Sequence, residues 1–374
     1  MRPVSLNAIA SLALIAGFAS PAQALVRPAP SDTTISKEML ADGIYLFRAP
    51  SDLDKWTATN VVVIVNDNDV TVFDSNSRLS TARAVIAEIK RITPKPVRTL
   101  INSHWHLDHW SGNDEYVKAF PGVQIIATTQ TRDYMKRMPG KFYAYGLNNS
   151  VTRLRAALDS AIRTGKTSDG KPLTAEERRK RETDIKETAD FAAEVTATPR
   201  VLPTMAYRDS LVLYNGRREY RLISVTGDAT GSTVLYLPAE KMLIMGDVLV
   251  DQEAGGGPQP WTTNSFAITP WLNDLRSLER LDANIIVPGQ GPAFRDKSYL
   301  TLTADLYRSI IDQVHAATER GVTSLADVQA AVNVSAFAQR YPGKVAPDDA
   351  RFTLIVAALV RKVLQETYDG VVRQ

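Results

Sequence analysis

The sequence predicts an α+β fold, and three features carry this prediction. Apolar strand-like stretches and amphipathic helical stretches alternate between residues 43 and 127. A second series of short strand-like stretches lies between residues 210 and 250, and the chain beyond residue 298 has helical spacing. Because strands dominate two separate parts of the chain, we expect one β-rich domain to which helices are added.

The length and composition are those of an ordinary globular protein. The chain has 374 residues, 44% hydrophobic and 23% charged, which suits one large domain with extensions or two domains. The net charge is +3 and the basic residues form no stripe, so no nucleic-acid partner is expected. The absence of cysteine excludes disulfides and thiolate metal ligands, which leaves nitrogen and oxygen donors.

The first 24 residues are predicted to be a secretory signal peptide. Arg2 gives a positive start, an apolar run covers residues 6–19, and Ala22 and Ala24 form an A-x-A cleavage pattern. A membrane anchor would need about 20 apolar residues, more than this run offers. We therefore expect a mature chain from Leu25, periplasmic or secreted, without a membrane anchor.

The N-terminal half is predicted to contain strands at residues 43–47, 60–65, 70–73, 97–101 and 123–127 and helices at 81–92 and 114–120, after a loose lead-in at 25–36. The polar turn at residues 66–69 predicts a hairpin between the second and third of these strands. We place the β-rich domain at residues 25–297.

A charged helical insertion is predicted at about residues 147–198. Thr174 and Glu177 form a capping box that opens its second helix. The charged runs are interpreted as a solvated face, and a role as a lid over the substrate is left open.

Strands are then predicted at residues 211–213, 220–225, 233–237, 242–245 and 285–287, with a helix at 270–281. The helical extension at residues 298–374 carries an apolar stripe for which core packing is preferred over a homodimer face.

Three of the four histidines lie within residues 104–109, in the pattern H-x-H-x-D-H. The apolar stretch at residues 97–101 is predicted to be a strand that delivers this cluster at its end. Imidazole and carboxylate groups are the ligands of zinc and neighbouring divalent ions. The cluster therefore predicts a metal site formed by His104, His106, Asp108 and His109.

Further polar side chains follow predicted strands elsewhere in the chain. Asp74 ends one strand, Asp228 lies in a glycine-flanked loop, and Asp247 and Gln290 each follow another strand. Each of these alone is a weak signal, because Asp-Gly and Pro-Gly turns are common. Together with the histidine cluster they form a pattern.

That pattern resembles the metallo-β-lactamase superfamily over roughly residues 40–295. The matching stretches are VTVFDSNS, NSHWHLDHWSGN, TGDATGSTVLYLP, MGDVLV and VPGQGP. The resemblance implies a four-layer αββα sandwich with the metal site at the edges of its two sheets. It implies that His104 and His106 bind one zinc, that Asp108 and His109 bind a second, that Asp247 bridges both, and that Asp74 orients the ligands.

Two positions depart from the pattern of that superfamily. Asp228 and Gln290 stand where the superfamily has histidines, and His315 is interpreted as a packed or surface residue rather than a substitute. Asp228 can still ligate through oxygen, whereas an amide is a poor zinc ligand. We predict one firm zinc ion with the second weak or absent, and iron or manganese remain open as the native metal.

The resemblance implies a metal-dependent hydrolase whose metal-bound hydroxide attacks an ester, lactone, thioester, phosphoester or amide bond of a small-molecule substrate. Asp108 and Asp247 are the candidate general bases. The alternatives are a non-catalytic metal- or ligand-binding protein, a β-lactamase proper and a redox iron enzyme.

Residues 255–260 are expected to shape the cleft. Six aromatic residues could line a pocket, although packing is preferred for most of them: Trp105, Trp110, Tyr143, Tyr145, Trp261 and Phe266.

Overall fold

The computed structural model describes residues 35–49, 59–138, 140–168, 170–251, 267–341 and 350–372. The predicted signal peptide, the segment 255–260, Trp261 and Phe266 lie outside the described residues, as does the side chain of Tyr143. Within the described part of the chain, no helix combines the length and hydropathy needed to cross a membrane.

Two β-sheets form the centre of the protein. The first contains seven strands in chain order: β1 (Ser36–Ala41), β2 (Ile44–Arg48), β3 (Val61–Val65), β4 (Val70–Phe73), β5 (Val97–Ile101), β6 (Gln124–Thr128) and β7 (Met205–Tyr207). Its first four strands are antiparallel, which confirms the hairpin at residues 66–69, and β4 to β7 are parallel.

The second sheet is built from the C-terminal series of strands. These are β8 (Ser210–Asn215), β9 (Arg218–Val225), β10 (Ser232–Leu237), β11 (Met242–Ile244) and β12 (Ile285–Val287), in the order β12-β11-β10-β9-β8. All neighbours are antiparallel except β11 and β12, which run parallel. Parallel strands therefore bring two chain segments to the same sheet edge.

Eleven helices lie within the described residues: α1 (Leu79–Ile92), α2 (Leu107–Trp110), α3 (Asn113–Ala119), α4 (Thr129–Arg137), α5 (Gly140–Thr164), α6 (Ala175–Ala197), α7 (Ile268–Glu279), α8 (Ser298–Glu319), α9 (Leu325–Ala331), α10 (Ser335–Ala338) and α11 (Ala350–Val372). The side chain of Thr174 accepts a hydrogen bond from the Glu177 amide at the start of α6. The N-cap at Thr174, which is one half of the predicted capping box, and the start of the second helix are confirmed.

Side-chain alternation along the strands produces the four layers. Val61 and Val63 of β3 pack with α1 and α3 on the outer face of the first sheet. Val62 and Ile64 point the other way, into the core between the two sheets. A third core lies between the outer face of the second sheet and α7, α8 and α11. The α+β fold with an αββα sandwich is confirmed.

The apolar stripe of α11 is core packing. Phe352, Leu359 and Val363 are at most 2% exposed and belong to the core that the second sheet shares with α8. The period of 3.6 residues placed one helix face inward, and the tertiary structure covers that face.

Four elements were not predicted from the sequence: β1, β7, α2 and α4. The β1 strand lies at the edge of its sheet, and only Leu40 of its six residues is buried, so it shows no apolar alternation. The α4 helix has a polar sequence, in which only Thr131 and Met135 are buried. The first helix of the insertion also begins earlier than expected, at Gly140.

Candidate metal centre

The ends of five chain segments meet at one edge of the two sheets. Asp74 directly follows β4, and the histidine cluster follows the neighbouring parallel strand β5. In the second sheet, Asp247 follows β11 and Gln290 follows the parallel strand β12. The loop that carries Asp228 joins β9 to β10. Neighbouring parallel strands end at the same edge, so residues distant in sequence become neighbours in space.

The structure brings all the predicted ligands together in two overlapping groups. The first group is His104, His106, Asp228 and Asp247, and the second is Asp108, His109 and Asp247. Within each group the candidate ligand atoms lie within 4.8 Å of one another. Asp247 belongs to both groups, which is the position expected for a bridging ligand. The coordination roles themselves stay predictions.

The buried acceptor atoms of this cluster fit a divalent cation. Several of them have no hydrogen-bond partner among the described residues: Nε2 of His104 and His109, both carboxylate oxygens of Asp228, and Oδ1 of Asp247. The nearest contact of Asp228 Oδ2 is His106 Nδ1 at 3.2 Å, without hydrogen-bond geometry. An unsatisfied buried polar group costs about 1–3 kcal/mol, so a divalent ion shared by several such atoms would recover part of this cost.

The charges of the cluster perturb its protonation. Burial lowers the pKa of His104 well below its usual range, which leaves a free lone pair on this ring at neutral pH. Burial also opposes protonation of His106, but the negative charge of Asp228 outweighs it and raises the pKa of His106. A bound divalent ion would offset the same carboxylate charge.

The two candidate general bases differ in their surroundings. Burial raises the pKa of Asp247 to about 6, and the charge of His109 acts against this rise. For Asp108, burial is outweighed by the positive charge of His109 and by the hydrogen bond from Thr59, so its pKa falls to about 2. The side chain of Asp108 is 20% exposed, whereas that of Asp247 is only 2% exposed. Solvent therefore reaches the cluster at Asp108.

Asp74 lies directly behind the histidines. Its Oδ2 atom is 2.7 Å from Nδ1 of His109, and its Oδ1 atom accepts a hydrogen bond from the Ser103 amide at 2.7 Å. The backbone of Asp74 has a φ of 61°, in the left-handed region that aspartate tolerates better than most residues. This conformation turns the carboxylate towards the histidine loop. Asp74 was predicted to orient the ligands, and this contact gives it a route to His109; the role itself stays a prediction.

Gln290 faces the second group of ligands. Its Nε2 atom lies 3.4 Å from Oδ2 of Asp108 and 3.5 Å from Oδ2 of Asp247. Thr59 donates a hydrogen bond of 2.7 Å to the same oxygen of Asp108. Amide and hydroxyl hydrogens therefore approach the carboxylates where a second ion would bind. His315 is exposed on α8 and is not part of either group.

Two residues of this site, Thr59 and Ser103, were not predicted from the sequence. Thr59 precedes Asp108 by 49 positions and lies beside β12 through a bridge to Gln290. No spacing rule connects such distant residues. Ser103 stood inside the quoted motif, next to His104, but its position between two histidine rings becomes visible only in three dimensions.

The aromatic residues near the cluster are mainly packing residues. Trp105 and Trp110 are 5% and 3% exposed, and Trp105 stacks on Tyr134 with the ring centroids 5.2 Å apart. Trp110 donates its indole hydrogen to the backbone oxygen of Trp105 at 2.8 Å. Tyr145 is 67% exposed. The preferred interpretation of packing thus describes both tryptophans.

The helical insertion contacts the histidine loop through Leu107. Leu107 packs against the cluster around Trp105 and Trp110, and it also packs against Leu147 of α5 and Phe191 of α6. The insertion is therefore attached directly beside the candidate ligands. The lid role of the insertion stays a prediction.

A cavity of about 500 Å³ lies near the loop that carries Asp228. Thr226, Thr230 and Gly231 of that loop line it, together with Thr129 and Asp274 among others. None of the candidate ligands lines this cavity. It is therefore separate from the candidate metal centre.

Gly289 leaves room for Asp247, and a methyl group at this position would remove it. An added Cβ would lie 2.0 Å from Asp247 Oδ1 and 2.5 Å from the carbonyl carbon of Gly246. We expect Gly289→Ala to lower the free energy of unfolding by at least about 2 kcal/mol and to reduce the bound metal, because backbone atoms must move. Thermal unfolding and metal content measure the two effects.

Gly146→Ala is the matched control for this substitution. Gly146 lies in α5 with nothing within 4 Å of an added Cβ, so alanine should stabilise the protein by about 0.5–1 kcal/mol. Equal melting temperatures and equal metal content for the two variants would contradict the close approach of Gly289 to Asp247.

Comparisons with known proteins find a matching family, a related sequence and similar structures. A model of the metallo-beta-lactamase superfamily matches residues 54–290. A linear primary-alkylsulfatase from Pseudomonas sp. is 27% identical over 258 residues, which cover 67% of this chain and 46% of that protein. The stereoselective inverting sec-alkylsulfatase Pisa1 from Pseudomonas sp. has a similar structure, with a TM-score of 0.59 and 16% identity, covering 89% of this chain and 50% of that chain.

A metallo-beta-lactamase from Pontibacter korlensis also matches, with a TM-score of 0.48 and 15% identity over 74% of this chain and 99% of that chain. The chain spans about half the length of the two alkylsulfatases. The structural likeness to Pisa1, at 16% identity, concerns the fold.

Proposed function

We propose that this chain, which belongs to the metallo-beta-lactamase superfamily, is an exported metal-dependent hydrolase of alkyl sulfate esters. The main support for a metal-dependent reaction is the group formed by His104, His106, Asp228 and Asp247, whose ligand atoms lie within 4.8 Å of one another. A divalent ion held there would supply a Lewis acid and would lower the pKa of water to about 7.

The residues around that group have separate tasks in this proposal. His104, His106, Asp228 and Asp247 would hold the ion. Asp108 is the acidic residue that solvent reaches, so it is placed to contact the incoming water. Asp74 holds the ring of His109 through Nδ1. Together these residues fix the geometry of the reacting groups before substrate arrives.

The substrate class comes from the curated relative. A protein named linear primary-alkylsulfatase shares 27% identity with this chain over 258 residues, which are 67% of the chain. The aligned region covers 46% of that relative, so alkyl sulfate hydrolysis by this chain is proposed from a partial match. A sulfate ester is an oxyanion, which a cation at the site would attract.

One firmly bound ion is proposed, with a second ion weak or absent. The first group offers four ligand residues, whereas the second offers Asp108 and His109 in addition to the shared Asp247. The amide of Gln290 and the hydroxyl of Thr59 approach the carboxylates of that second group. Zinc is the proposed metal because imidazole and carboxylate are among its usual ligands.

A substrate panel tests the function. The protein would be purified from the exported fraction of the cell, where a mature chain beginning at Leu25 is expected. Medium-chain primary and secondary alkyl sulfates would be compared with a carboxylic ester, a lactone, a phosphomonoester and a β-lactam, before and after chelation and zinc replacement. We expect turnover of alkyl sulfates that chelation abolishes and zinc restores.

Other outcomes of the panel overturn specific parts of the proposal. Chelator-sensitive turnover of another ester or of the lactam alone would move the substrate class while retaining a metal-dependent hydrolase. Tight zinc binding with no turnover of any substrate would identify a non-catalytic metal-binding protein. Turnover that is insensitive to chelation would reject the metal-dependent mechanism.

A further inference from the structure

The hydroxyl of Ser103 lies between the candidate ligands and Asp74. Its Oγ atom is 2.8 Å from Oδ2 of Asp74, 3.0 Å from Nδ1 of His104 and 3.1 Å from Nδ1 of His109. Ser103 is completely buried. This hydroxyl therefore contacts one histidine from each of the two ligand groups.

The chemistry of these atoms determines the direction of the hydrogen bonds. An ionised carboxylate can only accept, so the single hydroxyl hydrogen of Ser103 points to Asp74. The Oγ atom is then free to accept a hydrogen from Nδ1 of His104. With its hydrogen on Nδ1, the ring of His104 presents the lone pair of Nε2, which is the atom that has no hydrogen-bond partner among the described residues.

The backbone of Ser103 is fixed from both sheets. Its amide donates to Oδ1 of Asp74, and its carbonyl oxygen accepts a hydrogen bond of 2.6 Å from Thr233 of β10. The Cα of Gly246 packs so closely that an added Cβ would lie 2.7 Å from the Cβ of Ser103. The hydroxyl consequently has little freedom to move away from the histidine rings.

We propose that Ser103 is a positioning residue that holds His104 in the tautomer with Nε2 free for the metal ion. Through it, the single carboxylate of Asp74 orients His109 directly and His104 by way of one hydroxyl. The two histidines belong to different ligand groups, so this network couples the two halves of the centre. The inference rests on the metal site of the proposed function.

Metal affinity, measured apart from turnover, tests this role. Zinc dissociation constants would be obtained by chelator competition for the wild type, Ser103→Ala and Ser77→Ala. Ser77 is a buried serine whose hydroxyl lies 3.5 Å from Oδ1 of Asn76 and, among the described residues, contacts no candidate ligand. Partners of metal ligands typically contribute 10–100-fold to affinity, so we expect that loss for Ser103→Ala and no change for Ser77→Ala.

A double-mutant cycle with Asp74→Asn adds a readout that general loss of packing would not move. If Ser103 acts through Asp74, the double variant should lose less affinity than the product of the two single losses. The absorption spectrum of the cobalt(II) protein should also shift for Ser103→Ala, since the ring of His104 loses its fixed orientation.

The outcomes separate this inference from the function on which it rests. A wild-type affinity retained by Ser103→Ala, or equal losses for both serine variants, would overturn the positioning role and leave the metal site intact. Fully independent effects of the two single substitutions would contradict the connection through Asp74. Failure of the wild type to bind zinc would overturn the metal site and this inference together.

Discussion

Replacement of His106 by alanine is expected to lower zinc affinity and chelator-sensitive hydrolysis by at least about a hundredfold. Even residues that only contact a metal ligand contribute 10–100-fold, so loss of a ligand should cost no less. In the wild type, Nδ1 of His106 lies 3.2 Å from Oδ2 of Asp228. The substitution removes this imidazole and leaves His104, Asp228 and Asp247 in the first ligand group. Metal content after dialysis and initial rates on an alkyl sulfate measure the loss.

His315→Ala is the matched control, because His315 is an exposed histidine on α8 outside both ligand groups. It should keep the metal content and rate of the wild type. Thermal unfolding of the metal-free proteins shows whether His106→Ala retains the fold. A folded His106→Ala variant that binds zinc and turns over substrate like the control would reject the role of His106 as a ligand.

The sequence predicted the parts of the fold that follow from periodicity. The strand at residues 97–101 and the stripe of α11 lie where their apolar patterns placed them, because burial of one face requires a regular pattern. Edge strand β1 escaped prediction since Met39 is 63% exposed and only Leu40 is buried. An element that contributes little to the core leaves little pattern in the sequence.

The candidate site shows the same division. His104, His106 and Asp108 were identified because they are adjacent in sequence, and Asp228 and Asp247 because they resemble a known arrangement of strand ends. The contacts that orient these residues were not accessible to sequence analysis. Thr59 donates a hydrogen bond to Asp108, 49 residues later, and Ser103 donates one to Asp74, 29 residues earlier. Strand pairing in the folded protein brings these residues together.

Gln290→His is expected to convert a weak second position into a firm one. Gln290 is 6% exposed and its Nε2 atom lies 3.4 Å and 3.5 Å from carboxylate oxygens of Asp108 and Asp247. An imidazole there would replace an amide donor by a nitrogen lone pair, adding a third strong ligand to Asp108 and His109. Zinc content after gel filtration should rise from about one equivalent to about two.

Affinity should distinguish the two ions in this variant. Because a new ligand stabilises only the second position, chelator titration should show the first dissociation constant nearly unchanged and the second lowered by at least about tenfold. Gln290→Asn is the control, since it keeps an amide but shortens its reach, and it should gain no zinc. Two firmly held zinc equivalents in the wild type would contradict the weak second position. They would show that Gln290, or the carboxylates beside it, binds the second ion without a histidine at position 290.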